Sequence, residues 1–217
     1  MTKRLNRFQR FSVVFTLFAL YQLILRVVRR NWHFPAPVFL SFFLDSPIRK
    51  KMQPPALVLE RSGLQKGMKV LEIGCGNGAF IPDAARMVGE MGRVHALDVQ
   101  PKMLELLELK LQQPENADIK NVVLHLADAA ELPFENGSMD IVYLAAALFE
   151  IPDVKAALAE IQRVLKPQGI LAVSEFLPDP DYRLEHEVIR LGCAHGFTYH
   201  QSAGNLIHYT VQFKKAT

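Results

Sequence analysis

Residues 70–78, Val-Leu-Glu-Ile-Gly-Cys-Gly-Asn-Gly, constrain the fold of this chain more than any other stretch. Apolar β-formers run into a turn with Gly74, Gly76 and Gly78, and a carboxylate, Glu72, stands two residues before the first glycine. Glycine tolerates positive φ and lets backbone N–H groups come close to a ligand. A strand ending this way can turn tightly into a helix beneath a nucleotide-like molecule. Gly74, Gly76 and Ala79 also satisfy the dinucleotide spacing G-x-G-x-x-A, which alone discriminates little.

The neighbouring motifs separate the two. Glu72 on the incoming strand would repel a pyrophosphate but suits a ligand amine. Twenty residues past Gly78, the strand Arg93–Leu97 ends in Asp98, placed to accept ribose hydroxyls. A third apolar strand, Val122–Ala127, leads to Asp128-Ala129 and then Leu132-Pro133-Phe134. The M-D-I-V-Y strand from Met139 and the R-V-L-K-P-Q-G-I-L run at Arg163–Leu171 complete the series. In this order the five motifs resemble the class I S-adenosylmethionine (SAM)-dependent methyltransferases, over roughly Met52 to Lys215. The similarity is greatest to the branch holding quinone C-methyltransferases and small-molecule or lipid methyltransferases.

The resemblance implies SAM as cofactor and assigns its contacts. Gly74, Cys75, Gly76 and Gly78 carry the turn under the methionine part, and Glu72 bonds the cofactor amine directly or through water. Asp98 clamps the ribose. Asp128 accepts the adenine exocyclic amine, and Ala129 offers its N–H to a ring nitrogen. Val99 and Met103 cover the adenine face, although a plain core role suits Met103 equally, and Ala145 completes the cofactor wall. Glu150, in Leu148-Phe149-Glu150-Ile151-Pro152-Asp153, stands where many relatives carry a histidine. As the candidate catalytic residue it would hold an ammonium headgroup or accept a proton; as a bystander it is a solvated loop acid.

Strand–helix alternation from residue 52 onward implies an α/β fold, a doubly wound and mostly parallel sheet with ligands at the strands' carboxyl ends. The expected strands are Lys69–Ile73, Arg93–Asp98, Val122–Ala127, Met139–Ala145 and Ile170–Phe176. Helices are expected at Ala56–Arg61, Ala79–Gly89, Pro101–Gln112, Asp153–Leu165 and Tyr182–Ala194. Phe197–Gln201 and Leu206–Phe213, turned at Ala203-Gly204-Asn205, form a terminal hairpin that makes the sheet seven-stranded, as the methyltransferase fold requires. Residues 52–217 read as the methyltransferase domain, and residues 1–51 as a separate arm.

Charge sets the arm apart. The formal net charge is +3, yet residues 1–51 carry ten Lys/Arg against a single acid, Asp45, and the rest is net acidic. An acidic catalytic domain argues against a nucleic-acid partner. Two cysteines, Cys75 and Cys193, make no disulfide framework, and no His/Cys cluster has metal-ligand spacing.

Phe11–Val28 is apolar and flanked by basic residues, so three readings compete. A signal peptide lacks its small-x-small cleavage site. A span needs about 20 apolar residues, and this run reaches about fifteen before Arg26. Basic clusters at both ends give no clear orientation, so a single span stays open as an alternative. A helix lying in the interface fits best: Ser12, Thr16, Ala19, Gln22, Arg26, Arg29 and His33 recur at steps of three or four along one stripe. Trp32 and a second, proline-interrupted apolar run at residues 34–44 follow. The arm is therefore expected to bring the enzyme to an anionic membrane surface, peripherally on the cytoplasmic face, or else to pack on the domain or a sister subunit in an oligomer. The expected acceptor is a lipid or lipophilic molecule, with a phosphatidylethanolamine-type amine slightly preferred over a prenylated quinone because of Glu150. A non-catalytic SAM-binding membrane adaptor is the alternative of another class.

Overall fold

In the computed structural model the described residues are Val13, Thr16, Leu20, residues 24–29 and residues 46–215. Most of the arm, including Ser12, Ala19, Gln22, Trp32, His33 and the second apolar run, lies outside them. After a helical segment over residues 24–29, the elements are α1 (Pro47–Met52), α2 (Pro55–Arg61), β1 (Lys69–Ile73), α3 (Ile81–Val88), β2 (Arg93–Asp98), α4 (Pro101–Leu111), β3 (Val122–Leu126), β4 (Met139–Ala145), α5 (Val154–Val164), β5 (Leu165–Phe176), α6 (Glu185–Ala194), β6 (Phe197–Gly204) and β7 (His208–Lys215).

The strands form one seven-stranded sheet in the order β3-β2-β1-β4-β5-β7-β6. β1 to β5 run parallel, and β7 pairs antiparallel with both β5 and β6. β1 lies between β2 and β4, so the winding reverses there, and a crevice opens beyond the strands' carboxyl ends.

Side-chain alternation along the strands feeds two cores. Val70, Val94, Ala96 and Ile141 face α2, α3 and α4, while Leu71, Val142, Leu144, Val173 and Phe213 face α5 and α6. α3 buries Ile81, Ala84, Ala85 and Val88, a helical stripe, and stops at Gly89, whose φ is 69°. α5 starts as expected: the Asp153 side chain accepts from the Ala156 N–H at 2.9 Å. Burying each Leu, Ile or Val of these stripes contributes about 1.5–3 kcal/mol.

The first, second and fourth strands coincide with the sequence reading, and several ends differ. α3 begins at Ile81 rather than Ala79, and β3 ends at Leu126. β5 begins at Leu165 rather than Ile170, because the Pro167–Gly169 turn is absorbed as an irregularity within the strand. Gln168 takes φ 63° there, and the pairing with β4 shifts between Met139 and Ile141. α6 begins at Glu185 rather than Tyr182, because Tyr182 is buried with its hydroxyl donating to the Leu206 carbonyl at 2.8 Å. The hairpin turn moves to residues 205–207, where the Asn205 side chain accepts from the N–H groups of Ile207 and His208 at 2.9 and 3.1 Å. Among the described residues no helix is long and apolar enough to cross a membrane.

Candidate active site

The glycine turn is pinned to the end of β2, with the N–H groups of Gly74 and Cys75 both donating to the Leu97 carbonyl at 2.8 and 3.0 Å. Two of its glycines are sterically required. Gly74 has φ +72°, and a Cβ there would come within 2.7 Å of the Ala147 Cβ; Gly78 has φ +75°, and its Cβ would meet Leu107 at 2.3 Å. Asp98 is buried, and its two oxygens accept from the Gly76 N–H at 2.8 Å and the Gln100 N–H at 2.9 Å. Burial pushes its carboxyl above the usual range, and these backbone bonds oppose the shift.

Glu72 is buried at the carboxyl end of β1 and accepts from the Tyr143 hydroxyl at 2.8 Å. Burial pushes its carboxyl up to about 8; the Tyr143 bond opposes this and neighbouring Asp98 adds to it. Tyr143, on β4, therefore belongs to the site, although in the sequence it reads only as part of an apolar strand.

These groups line one cavity of about 830 Å³, within the range of roughly 300–1,000 Å³ usual for small-molecule sites. It brings together Glu72, Gly74, Cys75, Gly76, Asp98, Val99, Met103, Asp128, Ala129 and Ala145, with Glu150 in the same wall. Gly78 lies outside the lining, under the turn and against Leu107. Asp128 is exposed and its Oδ1 accepts from the Ala130 N–H at 2.8 Å. Ala146, just past β4, holds φ 56°, a conformation uncommon without glycine, and it too lines the cavity.

The described histidines lie outside the cavity lining. His125 meets His95 at 2.9 Å, with Phe134 edge-on to both rings, and His208 meets Arg61 at 2.9 Å. His186 and His200 are exposed, and His195 bonds the Leu191 carbonyl. Tyr182, Tyr199 and Tyr209 do not line the cavity.

The wall past β4 and β5 is built from charges far apart in sequence. Glu150 sits in a 3-10 turn, Leu148–Glu150, and lies 3.2 Å from the Arg29 guanidinium; Arg29 also bonds Asp181. Arg26 donates to the carbonyls of Leu177 and Asp179 and stacks over Tyr182 at 5.8 Å. Burial pushes the Asp181 carboxyl up to about 6, with Arg29 opposing and Asp179 adding. Burial likewise raises Asp179 and Glu175. Carboxylate oxygens of Glu150, Asp179 and Asp181 lie within 4.8 Å of one another, and the cation between Glu150 and Asp181 is Arg29.

This corrects two expectations. Arg26 and Arg29, expected on the polar stripe of an interfacial helix, turn onto the acidic loops of the domain, as in the alternative of an arm packed on the domain. Glu150, read as open to an ammonium, is already engaged by Arg29. Asp179 and Asp181 were not picked out in the sequence. Their signal was the acidic Pro178-Asp179-Pro180-Asp181 run, which complements the strongly basic arm.

The family model for a methyltransferase domain matches residues 64–214. The chain belongs to the SAM-dependent methyltransferases of this domain family. Among curated relatives, the demethylmenaquinone methyltransferase of Staphylococcus aureus strain MRSA252 is 39% identical over 118 residues, which cover 54% of this chain and 47% of that protein. The same enzyme from strain JH9 is 38% identical over the same length and coverage. The chain thus spans about half the length of the curated relatives it matches. A solved SAM-dependent methyltransferase from Aquifex aeolicus superposes with a TM-score of 0.76 at 27% identity, covering 83% of this chain and all of that one. The [4+2]-cyclase SpnF, at 18% identity and a TM-score of 0.65 over 76% of this chain and 80% of its own, shares the fold alone.

Proposed function

We propose that the protein transfers a methyl group from SAM to a lipophilic, quinone-type acceptor at a membrane surface. The observation that carries the reading is the single cavity at the switch point, where a buried carboxylate at the end of β1, the glycine turn and a buried carboxylate at the end of β2 come together. The residues fit SAM. Glu72 suits its ammonium, the cradle at Gly74 has no room for a side chain, Asp98 faces the ribose position, and Asp128 with Ala129 suits adenine. Val99 and Met103 flank the base. SAM supplies an electrophilic methyl group that leaves as a neutral thioether. The protein's part is alignment, and holding reactants in an attack geometry removes much of the entropic barrier.

The acceptor side supports a quinone-type molecule. Relatives similar in sequence are named demethylmenaquinone methyltransferases. The engagement of Glu150 by Arg29 removes the ground for preferring an ammonium headgroup. Glu150 is assigned to fixing the arm against the acceptor wall.

The membrane reading draws on one helical face. Val13, Leu20, Ile24 and Val27, spaced as neighbours along a helix, are 45%, 51%, 53% and 58% exposed. Leu25 and Arg29 of the same segment line the cavity, as do the exposed Ile48 and Met52 of α1. Lys50 and Lys51 beside them suit an anionic surface. An apolar rim around a cavity mouth suits a prenylated acceptor that keeps its tail in lipid.

The test is radiolabelled SAM with the purified full chain, offered a short-chain demethylated naphthoquinol or phosphatidylethanolamine vesicles. Label is expected in the naphthoquinol. Label only in the phospholipid would replace the acceptor class, and SAM binding without turnover on any acceptor would favour the adaptor reading.

A further inference from the structure

Several half-buried or buried arginines of the domain and its described helical segment are tied down by acceptors, while Arg183 stacks over Phe149 at 5.0 Å, away from the cavity lining. Arg29 holds Asp181 and Glu150, Arg26 holds two carbonyls, and Arg163 bonds Glu160, Asn136 and two carbonyls. Arg49, in α1, differs. Its guanidinium lines the cavity, and its Nε reaches the Gln53 Oε1 only at a long 3.4 Å. Its two Nη groups donate to no described residue, and no described carboxylate comes within ion-pair distance. A guanidinium offers five N–H donors in a planar fork, and withdrawing it from water without acceptors is costly.

The surroundings hold that cation in place. The Ser46 side chain caps α1 by accepting from the Arg49 N–H at 3.2 Å, and the Arg49 carbonyl accepts from the Gln53 N–H at 2.7 Å. The guanidinium lies over the Phe176 ring, 5.8 Å from its centre. Burial pushes the Arg49 pKa down, while Asp179, Glu150 and Glu72 face it from a distance and push it up. A fixed, desolvated fork with open donors in a ligand cavity is complementary to an oxyanion.

We propose that Arg49 is the oxyanion anchor of this cavity, holding an anionic oxygen of a bound small molecule. Two groups of that chemistry can reach it: the α-carboxylate of the cofactor, whose ammonium belongs to Glu72 across the same cavity, and the ionised hydroxyl of a quinol acceptor. The inference rests on the cavity being a SAM site.

The experiment compares two ligands that differ only in the amino-acid part. S-adenosylhomocysteine and 5′-methylthioadenosine are titrated calorimetrically into the full chain as wild type, Arg49→Gln and Arg49→Lys. If Arg49 holds the cofactor carboxylate, Arg49→Gln weakens S-adenosylhomocysteine tenfold or more. Methylthioadenosine stays within twofold, and Arg49→Lys falls between. If it holds the acceptor, both affinities stay and the KM for a short-chain naphthoquinol rises at least tenfold. Equal losses for the two ligands in both variants would mark a structural role and overturn the proposal, as would no change in either affinity or in KM. Wild-type protein that binds neither adenosine ligand would overturn the SAM reading itself, a result distinct from a failure of Arg49 alone.

Discussion

The two halves of the cavity are built in different ways. On the side of β1 and β2, the key groups are held by the glycine turn and by the strands adjoining it in the sheet. Gly76 and Gln100 bond Asp98, the turn bonds Leu97, and Tyr143 from the adjacent strand bonds Glu72. On the side of β4 and β5, the wall depends on charges more than a hundred residues apart, Arg29 with Glu150 and Asp181, and Arg26 with the loop after β5. The first half is built by the motif and by the strands paired beside it. The second exists only when the N-terminal segment folds back over the domain, so the shape of that wall and the position of the arm are coupled.

Breaking the long-range half should have the largest effect. Arg29→Ala removes the cation from the buried Asp181 carboxylate and is expected to cost about 3 kcal/mol of stability, measured by denaturant unfolding. The folded-state pKa of Asp181 is about 6, above its ordinary value. Its protonated form is therefore the one the fold tolerates, and the deficit of the variant should be larger at pH 8 than at pH 5.5. The affinity for S-adenosylhomocysteine should stay within about threefold; a larger loss would show that the halves are not separable.

Asp98→Ala attacks the local half. Binding of S-adenosylhomocysteine should weaken on the order of a hundredfold, about 2.7 kcal/mol, with the arm contacts undisturbed. Calorimetry reads the affinity. Equal binding by the variant would remove the ribose assignment.

Glu72 sharpens the same half through pH. Its carboxyl titrates near 8 in the ligand-free protein and must be ionised to meet an ammonium. Affinity for S-adenosylhomocysteine should rise about fiftyfold between pH 6 and 8 in the wild type and stay flat in Glu72→Gln. The stability contribution of this group runs the other way. With a folded pKa above the unfolded one, it is fully present below the ordinary carboxylate range and lost as pH rises through about 8.

The smallest effect belongs to the outer face of the arm. Replacing Ile24 and Val27 together by Ser should reduce capture by anionic vesicles by about tenfold, a loss of roughly 1.4 kcal/mol and well below the ~1.5–3 kcal/mol that each side chain would contribute if fully buried. Cofactor affinity should not change. Unaltered sedimentation with vesicles would assign that face to a protein contact instead.

Much of the cofactor half was legible in the chain. The β1 and β2 limits, the glycine turn, Asp98 at a strand end and the Asp153 cap all rest on local rules: which residues tolerate positive φ, which side chains cap, and where an apolar run stops. Phe11–Val28 shows where such rules fall short. Its periodicity marks a helix and a polar stripe, but not which side of that stripe meets the protein. Arg26 and Arg29 turn inward onto the carboxylates of Asp181 and Glu150 and the carbonyls after β5, and only the fold brings those acceptors there. Tyr143 behind Glu72 and Arg49 without a carboxylate partner among the described residues have the same origin. A sequence names charged side chains, but whether each is paired, buried or left open to a ligand is decided by what long-range packing places beside it.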